Sequence, residues 1–445
     1  MTCEIPGWAS SVIWYSVYPL GACGAPVRQP DSPGVHHRLL RLLPWLDHVV
    51  GLGANGLALG PIWASSTHGY DIVDHDAIDP RLGDDDDFDQ LVSQCHDRGL
   101  RVLLDGVFNH VSSEHPLVQQ VLREGPSSPA GLMFRHDDGR PDGLARFEGH
   151  DGLVEYDHHN PGVASSVAST MARWLRRGAD GWRLDAAYRV PQTFWADVVG
   201  RVKTEFPQSL TVAEVLHGDY AAIAEAGGVD SITQYELWKA IWSSLRDRNP
   251  HELMWALQRH AAGMAERSGA FLPWTFVGNH DVTRIATLIG DHDALAATAV
   301  LSTLPGMPAI YYGDEFGFKG LKESRIGGDD AIRPALPDDP HALKEVGDAR
   351  GQDTVESGAS ACRPPVDAAE MLRQHQLLLG LRRRHPWLQW AKLDVVDQTH
   401  QHLTYTLTPG DATSDASVTV RLDADSDRIR LRISDAGGVL YELPS

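Results

Sequence analysis

The sequence predicts a (β/α)₈ barrel with an insertion after its third strand and a small antiparallel β domain at its end. Three observations predict this fold. About eight short apolar runs alternate with amphipathic helical stretches. A polar segment rich in Gly and Pro, 111–162, interrupts the alternation after the third run. From about Leu388, runs such as HLTYTLTP alternate with turns. A doubly wound sheet is the rival fold, but no glycine-rich phosphate turn follows the first strand.

The pattern gives bounds for the parts. We expect a barrel over 1–110 and 163–387, an insertion over 111–162, and a C-terminal β-sandwich over 388–445. Within the barrel, segment 320–365 is rich in Gly, Asp and Pro and predicts a long loop. The apolar runs that predict the barrel strands are VIWYSVYP, GLALGP, RVLLDGVFNH, GWRLDAA, TVAEVL, SITQYE, WTFVGNHD and MPAIYYGDE.

Helical stretches separate these runs. RLLRLLPWLDHVVG follows the first run, DFDQLVSQCHDRG the second, and VASSVASTMARWLRRG follows the insertion. The acidic run Asp84–Asp87 precedes the second of these stretches, and it predicts a helix N-terminus, where negative charge is favourable, rather than a metal site. The last stretch of the series is AEMLRQHQLLLGLRRRH.

Composition limits the classes of partner. The formal net charge of −21 argues against nucleic acid and anionic membranes, which both need a basic surface. No run of about 18 apolar residues predicts a membrane span, and the N-terminus does not resemble a signal peptide. The four cysteines have no metal-binding spacing, so we expect free thiols in a reducing cytoplasm. They are Cys3, Cys23, Cys95 and Cys362.

Two charges stand in the run DGWRLDAAY. Trp182 and Leu184 form the apolar face of a predicted strand, and Arg183 and Asp185 alternate with them. Burying charges is costly unless they are paired or used. A bare ion pair would explain these two residues, but further charges end other predicted strands. Those polar residues are Asp105, Asn109, His110, Glu214, His280 and Asp281.

The active site of such a barrel lies at the C-terminal ends of its strands, so we expect this set to converge there. Several acids in one cleft suit glycosidic bond cleavage, which needs one protonated and one ionised carboxyl group. We expect Arg183 to keep Asp185 ionised. Glu214 follows two apolar residues, so we expect desolvation to keep it protonated.

Two function classes compete with glycoside hydrolysis. A metal-dependent barrel hydrolase would use mixed His and carboxylate ligands, although no HxH pair ends an early strand. A non-catalytic sugar-binding protein would keep the barrel but lose a reactive group, and no loss is visible. The candidate metal ligands of the first class are Asp105, His110, Glu214, His280 and Asp281.

The order of six short motifs resembles the α-amylase family, glycoside hydrolase family 13. The motifs are GYDIVDHDAIDP (69–80), DGVFNH (105–110), GWRLDAAY (181–188), AEV (213–215), FVGNHD (276–281) and GMPAIYYGDE (306–315). The resemblance implies a barrel with a domain B insertion and a β domain C. It also implies a retaining double displacement in which Asp185 is the nucleophile, Glu214 the general acid/base and Asp281 the stabiliser of the transition state.

The resemblance also implies substrate contacts. His110, Arg183 and His280 would bind the sugar at the cleaved bond, and Tyr70 would stack against its ring. Asp329 and Arg333 resemble a pair that contacts the next sugar, although a simple loop ion pair explains them equally well. Other aromatic residues near strand ends are further candidates for stacking on sugars. They are Trp63, Trp182, Tyr188 and Tyr235.

Departures from the family pattern bear on cofactors and substrate. The calcium loop found in many relatives after the first strand is GACGAPVRQPDSPG here, with one acid, so we expect no cofactor, calcium included. Asn109 matches a calcium-binding position of secreted amylases, but no partners for it can be identified. Tyr188 and Arg189 replace a Lys-His pair of starch-cleaving relatives, which favours a smaller substrate and makes Tyr188 a substrate-binding candidate.

His217 and the segment LVEYDHHNPGV (153–163) resemble the cyclomaltodextrinase and neopullulanase branch, and His217 is a further substrate-binding candidate. Because the first predicted strand begins near Val12, we expect the N-terminal β domain of that branch to be missing. The implied activity is hydrolysis of α-1,4-glucosidic bonds in cyclodextrins, cyclic maltosyl-maltose or maltodextrins. An α-glucosidase or transglucosidase of the same family is the alternative. Related cytoplasmic enzymes are often dimers, which leaves a homodimer open.

Overall fold

The structure is a computed structural model, and it describes residues 4–29, 31–267, 269–345, 367–410, 415–425 and 428–443. Cys3 and Cys362 lie outside these residues, as does the part of the predicted loop from 346 to 365. Cys23 and Cys95 are buried free thiols, and burial raises the pKa of both to about 12.

The strands of the described residues are short, as is usual in a barrel. In chain order they are β1 Trp14–Val17, β2 Gly56–Leu59, β3 Trp63–Ser65, β4 Ile72–Ile78, β5 Arg101–Gly106, β6 His110–Ser112, β7 Leu153–Glu155, β8 Gly181–Leu184, β9 Leu210–Ala213, β10 Ser231–Ile232, β11 Trp274–Phe276, β12 Met307–Tyr311, β13 Lys392–Gln398, β14 His402–Thr408, β15 Val418–Ala424, β16 Ile429–Asp435 and β17 Gly438–Glu442.

The α-helices alternate with these strands. They are α1 Pro19–Ala22, α2 Leu43–Leu52, α3 Asp85–Asp97, α4 Pro116–Glu124, α5 Pro161–Arg176, α6 Gln192–Glu205, α7 Tyr220–Gly227, α8 Tyr235–Arg246, α9 His251–Glu266, α10 Ile285–Ile289, α11 Asp291–Thr303, α12 Ala342–Glu345 and α13 Ala368–Arg384. Short 3₁₀ helices lie at Gly7–Ser11, Arg38–Leu42, Gly131–Met133, Phe147–Gly149, Ala187–Arg189, Asp314–Phe316, Asp330–Ile332 and Pro386–Trp390.

Eight strands form one parallel sheet in the order β10, β9, β8, β5, β2, β1, β12, β11. A parallel bridge between Thr233, which follows β10, and Trp274 in β11 brings the two ends of this order together into a nearly closed barrel. Strands β13 to β17 form a separate antiparallel sheet in sequential order. The predicted fold class is therefore confirmed. The bounds of the insertion and the second sheet of a sandwich stay predictions.

Burial follows this topology. All five residues of β12 are buried, as expected for a barrel strand covered on both faces. In β15, buried positions alternate with more exposed ones, as expected for a sheet with one face on a core. Among the described residues, no helix is both long enough and apolar enough to cross a membrane.

The chain divides into two compact units. Unit one comprises Met1–Pro6, Tyr18–Leu46 and Leu57–Ile232, and unit two comprises Gly7–Val17, Asp47–Gly56 and Thr233–Ser445. In unit one, the buried rings of Trp63 and Trp182 stack with centroids 5.7 Å apart, and the Trp63 indole N–H donates to the Asp105 carbonyl at 2.9 Å.

These two tryptophans belong to the core. Trp63 and Trp182 are 1% and 0% exposed, so the expectation that they stack on sugars is wrong. A tryptophan near a strand end can stack on a sugar, but these two rings are covered by packing between β3, β8 and α5. The ring centroids of Trp63 and Trp174 in α5 lie 4.6 Å apart.

Candidate active site

In unit one, parallel pairing aligns three charged positions on neighbouring strands. Asp105 of β5 lies opposite Arg183 of β8, and Arg183 lies opposite Val212 of β9. Glu214 directly follows β9. Side chains two residues apart in a strand point to the same face. Glu214 therefore lies on the same face as Val212, beside Arg183.

The Arg183 guanidinium contacts three carboxylates at once. Its Nη1 donates to both oxygens of Asp105 at 2.7 Å and to Asp185 Oδ1 at 3.3 Å, and its Nη2 donates to Glu214 Oε1 at 2.5 Å. Burial alone would lower the pKa of Arg183, but the nearby acids, led by Asp105 and Glu214, raise it well above its ordinary value. The strand pattern suggested that Arg183 pairs with Asp185 alone. In the structure it also pairs with Asp105 and Glu214.

Asp185 and Ala186 form a sharp turn at the end of β8. The strand ends at Leu184, and the Asp185 N–H donates to the Gly106 carbonyl at 3.0 Å. Ala186 has a φ of 45°, in the left-handed region that costs a residue with a Cβ roughly 1–2 kcal/mol. This conformation directs the Ala186 N–H to Glu214 Oε2 at 2.9 Å. The strained turn thus ties the Asp185 loop to Glu214.

The surroundings of Glu214 differ from the expectation. The side chain is buried, but its two oxygens accept from Arg183 and from the Ala186 N–H. The burial that the apolar strand predicted is present, but a cation and a backbone N–H also contact the carboxylate, and the strand pattern indicated neither.

Tyr70 and His110 extend the hydrogen-bond network of Asp105 in unit one. The Tyr70 hydroxyl donates to Asp105 Oδ2 at 3.0 Å, and His110 Nε2 lies 3.0 Å from the Tyr70 carbonyl. A carbonyl only accepts, so Nε2 carries the proton and Nδ1 accepts from the Asn109 amide at 3.1 Å. Burial lowers the pKa of His110 to about 3, so the ring is neutral at pH 7.

In unit two, three neighbours fix Asp281. Arg333 Nη2 donates to Asp281 Oδ1 at 3.0 Å, and His280 Nε2 lies 3.0 Å from Oδ2. The Asp281 N–H donates to Asn279 Oδ1 at 2.8 Å. Arg333 is itself buried, and its Nε donates to the His280 carbonyl at 2.8 Å.

The pair predicted for the next sugar is an ion pair. Arg333 Nη2 lies 3.2 Å from Asp329 Oδ2, and Lys322 Nζ lies 3.4 Å from Asp329 Oδ1. The same Nη2 also donates to Asp281. The sequence indicated only the pairing of Arg333 with Asp329, not this contact with a proposed catalytic acid.

The remaining candidates, His217 and Tyr188, follow the ends of β9 and β8 in unit one. His217 is exposed in the turn after Glu214. Tyr188 donates from its hydroxyl to Glu148 Oε1 at 2.8 Å. Sequence reasoning missed Glu148 and its neighbour Phe147, whose ring stacks on His110 with centroids 4.5 Å apart. Both lie in the 3₁₀ helix Phe147–Gly149, which is too short for a periodic sequence pattern to mark it.

The model of the family described as "Alpha amylase, catalytic domain" matches residues 42–357, more than half of the chain. The chain belongs to the alpha-amylase family. Its relatives include the "Intracellular maltogenic amylase" of Bacillus subtilis, which is 30% identical over an alignment of 347 residues that covers 72% of this chain and 58% of the relative. A Bacillus "Cyclomaltodextrinase" is 30% identical over 71% of this chain and 61% of its own length. The chain thus spans about three fifths of these alpha-amylase family relatives.

Solved structures share the fold of this chain. A cyclic alpha-maltosyl-(1→6)-maltose hydrolase from Arthrobacter globiformis matches with a TM-score of 0.78 and 22% identity, over 94% of this chain and 92% of that chain. A "Cyclomaltodextrinase" matches with a TM-score of 0.78 and 24% identity, over 95% of this chain and 71% of that chain. The likeness in fold covers almost the whole chain.

Proposed function

We propose that this member of the alpha-amylase family is a retaining glycoside hydrolase that cleaves α-1,4-glucosidic bonds in small linear or cyclic malto-oligosaccharides. One observation carries the proposal: the guanidinium of Arg183 holds three buried acids, Asp105, Asp185 and Glu214, at adjacent strand ends of unit one. Carboxylates that share a buried cation in this way suit a reaction with a positively charged transition state.

The proposed reaction has two steps. In the first, Asp185 attacks the anomeric carbon, the bond to the glycosidic oxygen breaks, and Glu214 gives its proton to that oxygen. In the second, Glu214 takes a proton from water as the water oxygen attacks the same carbon and releases Asp185. Asp281 stabilises the charge that develops on the sugar ring in both steps. The anomeric configuration is inverted twice and is therefore retained.

Other side chains would position the sugar. We propose that Tyr70, His110, Arg183, His280 and Arg333 contact it. The neutral His110 ring suits a hydrogen bond to an uncharged hydroxyl. The remaining proposed contacts are Tyr188, His217 and Asp329.

The substrate class is supported by the names of relatives. A maltogenic amylase, a cyclomaltodextrinase and a neopullulanase are among the relatives that are about 30% identical. We propose an oligosaccharide rather than long starch as the substrate, and a cytoplasmic location, since two relatives are named intracellular. A transglucosidase would share the first step, and in the second step a sugar hydroxyl would attack the anomeric carbon in place of water and release Asp185.

The metal-dependent alternative fits this site poorly. A metal hydrolase needs its donors to face one ion, but the cation between Asp105 and Glu214 is the Arg183 guanidinium. We propose that the reaction needs no cofactor. Full activity after dialysis against EDTA supports this, and a loss that calcium restores contradicts it.

The decisive experiment is product analysis by NMR on maltotriose, maltotetraose, cyclodextrins, cyclic maltosyl-maltose and pullulan. Release of α-anomers supports retention, and release of β-anomers overturns the mechanism. Asp185→Asn and Glu214→Gln should each lose at least about 10³-fold in kcat, since each removes a group from the chemical step. Full activity of either variant would contradict its role. Sugar binding by the native chain without any turnover would make it a binding protein.

A further inference from the structure

A short turn of the segment between β6 and β7 reaches the end of β8 within unit one. The turn is the 3₁₀ helix Phe147–Gly149. The Phe147 ring stacks on His110 with an interplanar angle of 14°, and the Glu148 carboxylate accepts from the Tyr188 hydroxyl at 2.8 Å. Two neighbouring residues of the turn are thus anchored beside the candidate active site.

Tyr188 connects this turn to the acids of the reaction. It lies three residues after Asp185, and its N–H donates to the Glu214 carbonyl at 3.2 Å. Burial raises the pKa of Tyr188 first, and the charges of Glu148, Glu214 and Asp185 raise it further. The phenol therefore lies within the electrostatic field of both proposed catalytic acids.

Glu148 has a backbone conformation that its residue type disfavours. Its φ of 48° and ψ of 27° lie in the left-handed region, and its side chain is exposed. Because the side chain is exposed, no gain from burying it offsets the cost of this backbone conformation. Strained residues held by their surroundings cluster at ligand-binding sites, which makes the carboxylate a candidate for contact with substrate.

We propose that Glu148, together with Tyr188, determines specificity by binding hydroxyl groups of the sugar on the leaving-group side of the cleaved bond. The inference rests on the proposed function. The general acid must lie next to the glycosidic oxygen and the departing sugar. Tyr188 is hydrogen-bonded to the backbone of that acid, so the Tyr188–Glu148 pair borders the same sugar. A carboxylate that already accepts one hydroxyl proton has further lone pairs for the hydroxyls of a sugar.

Two variants and two kinds of substrate test the proposal. Glu148→Asn keeps a residue that tolerates the left-handed backbone but is one methylene too short for Tyr188, and Glu148→Gln keeps the shape without the charge. With maltotetraose, whose leaving group is a sugar, we expect kcat/KM to fall about tenfold for Glu148→Asn and about threefold for Glu148→Gln. With p-nitrophenyl α-maltoside, whose aryl leaving group offers no hydroxyl, we expect less than about a twofold change.

A matched control comes from the same segment. Glu124 ends α4, is exposed, and accepts from Gln120, so Glu124→Gln should leave kcat/KM unchanged on both substrates. Equal losses of Glu148→Asn on the sugar and aryl substrates would make the contact merely structural and overturn the inference, as would no loss on either. If the native chain cleaves neither substrate, the proposed function itself fails, which separates the two outcomes.

Discussion

At the scale of single residues, Arg183 decides the character of the unit-one site. Its side chain is only 13% exposed, and its two terminal nitrogens donate to Asp105, Asp185 and Glu214. Without this cation, three acids would lie close together in a medium of low dielectric constant. A lysine would not replace it, because a single ammonium cannot span three carboxylates.

Replacing Arg183 with leucine should therefore lower the free energy of unfolding by about 3–5 kcal/mol and abolish activity, since buried acids lose their counter-ion. Urea denaturation monitored by tryptophan fluorescence measures the first effect. Arg176→Gln is the control: this arginine is exposed and pairs with the exposed Glu205, so its loss should cost less than about 1 kcal/mol. Similar costs for the two variants would contradict the role of Arg183.

Arg333 plays a different part. It donates to the His280 carbonyl and to Asp281, and so it fixes both the backbone and the carboxylate of the third acid. We regard it as a positioning residue for Asp281 in addition to a proposed contact with the sugar.

Arg333→Lys should reduce kcat by about 10- to 100-fold, because a point charge cannot keep both hydrogen bonds and a misplaced group costs this much in rate. Steady-state kinetics with maltotetraose separate this effect from a purely higher KM, which would indicate sugar binding alone. Arg325→Gln provides a control in the same segment, since that arginine is exposed and pairs with Glu323. An unchanged kcat in Arg333→Lys would exclude the positioning role.

At the scale of secondary structure elements, α3 shows a complete local signal. Asp84 is the N-cap and accepts from the N–H groups of Asp86 and Asp87 at 3.0 and 3.1 Å. Asp87 in turn accepts from the Asp84 N–H at 3.0 Å, which closes a capping box. The prediction that the acidic run begins a helix is confirmed.

Asp84→Ala should lower the free energy of unfolding by about 1 kcal/mol, because two N–H groups of the first turn lose their acceptor. Asp86→Ala, in the same turn but with an exposed side chain, should change it by less than about 0.5 kcal/mol. Thermal and urea denaturation measure both values. Equal effects would mean that charge near the helix end, rather than the cap, stabilises α3.

The elements of the barrel end earlier than their apolar runs. The run 101–110 predicts one strand, but β5 ends at Gly106 and β6 begins at His110. Similarly, β8 ends at Leu184, one residue before Asp185. The residues in between leave the sheet and carry side chains of the candidate site, so the apolar pattern extends beyond the hydrogen-bonded strand.

At the scale of the whole molecule, histidines whose pKa is lowered by burial make the free energy of unfolding depend on pH. Burial lowers the pKa of His110 to about 3 and the pKa values of His115 and His260 to about 4. The ordinary histidine value is 6.5, so between these limits the unfolded chain binds more protons than the folded chain. The contribution of these groups to stability is complete above pH 6.5 and is lost as the pH falls towards 4.

His260 isolates this effect. Its Nε2 donates to the Pro305 carbonyl at 2.9 Å, and a glutamine amide can make the same bond without titrating. Between pH 6 and 5, the free energy of unfolding of the native chain should fall about 1 kcal/mol more than that of His260→Gln. Urea denaturation at both pH values tests this, with His159→Gln, an exposed position, as the control. Identical pH slopes for native chain and His260→Gln would contradict the prediction.

The sequence by itself determined the fold class and most residues of the candidate site. Apolar periodicity is a local property, so it marked the barrel strands and their helices without any knowledge of packing. Charges within apolar runs are costly, so Asp105, Arg183, Asp185 and Glu214 stood out before their partners were known. The motif order pointed to the family that the comparison confirmed.

Only the tertiary structure decided how these residues contact one another. Arg183 and Asp105 are 78 residues apart, Arg333 and Asp281 are 52 apart, and Tyr188 and Glu148 are 40 apart. No periodic pattern in the sequence spans such separations. The left-handed turns at Ala186 and Glu148 contain no glycine at the left-handed position, so the sequence does not predict them. The partners of a buried charge depend on which strands are neighbours in the sheet and on where loops return, and both are properties of the folded chain.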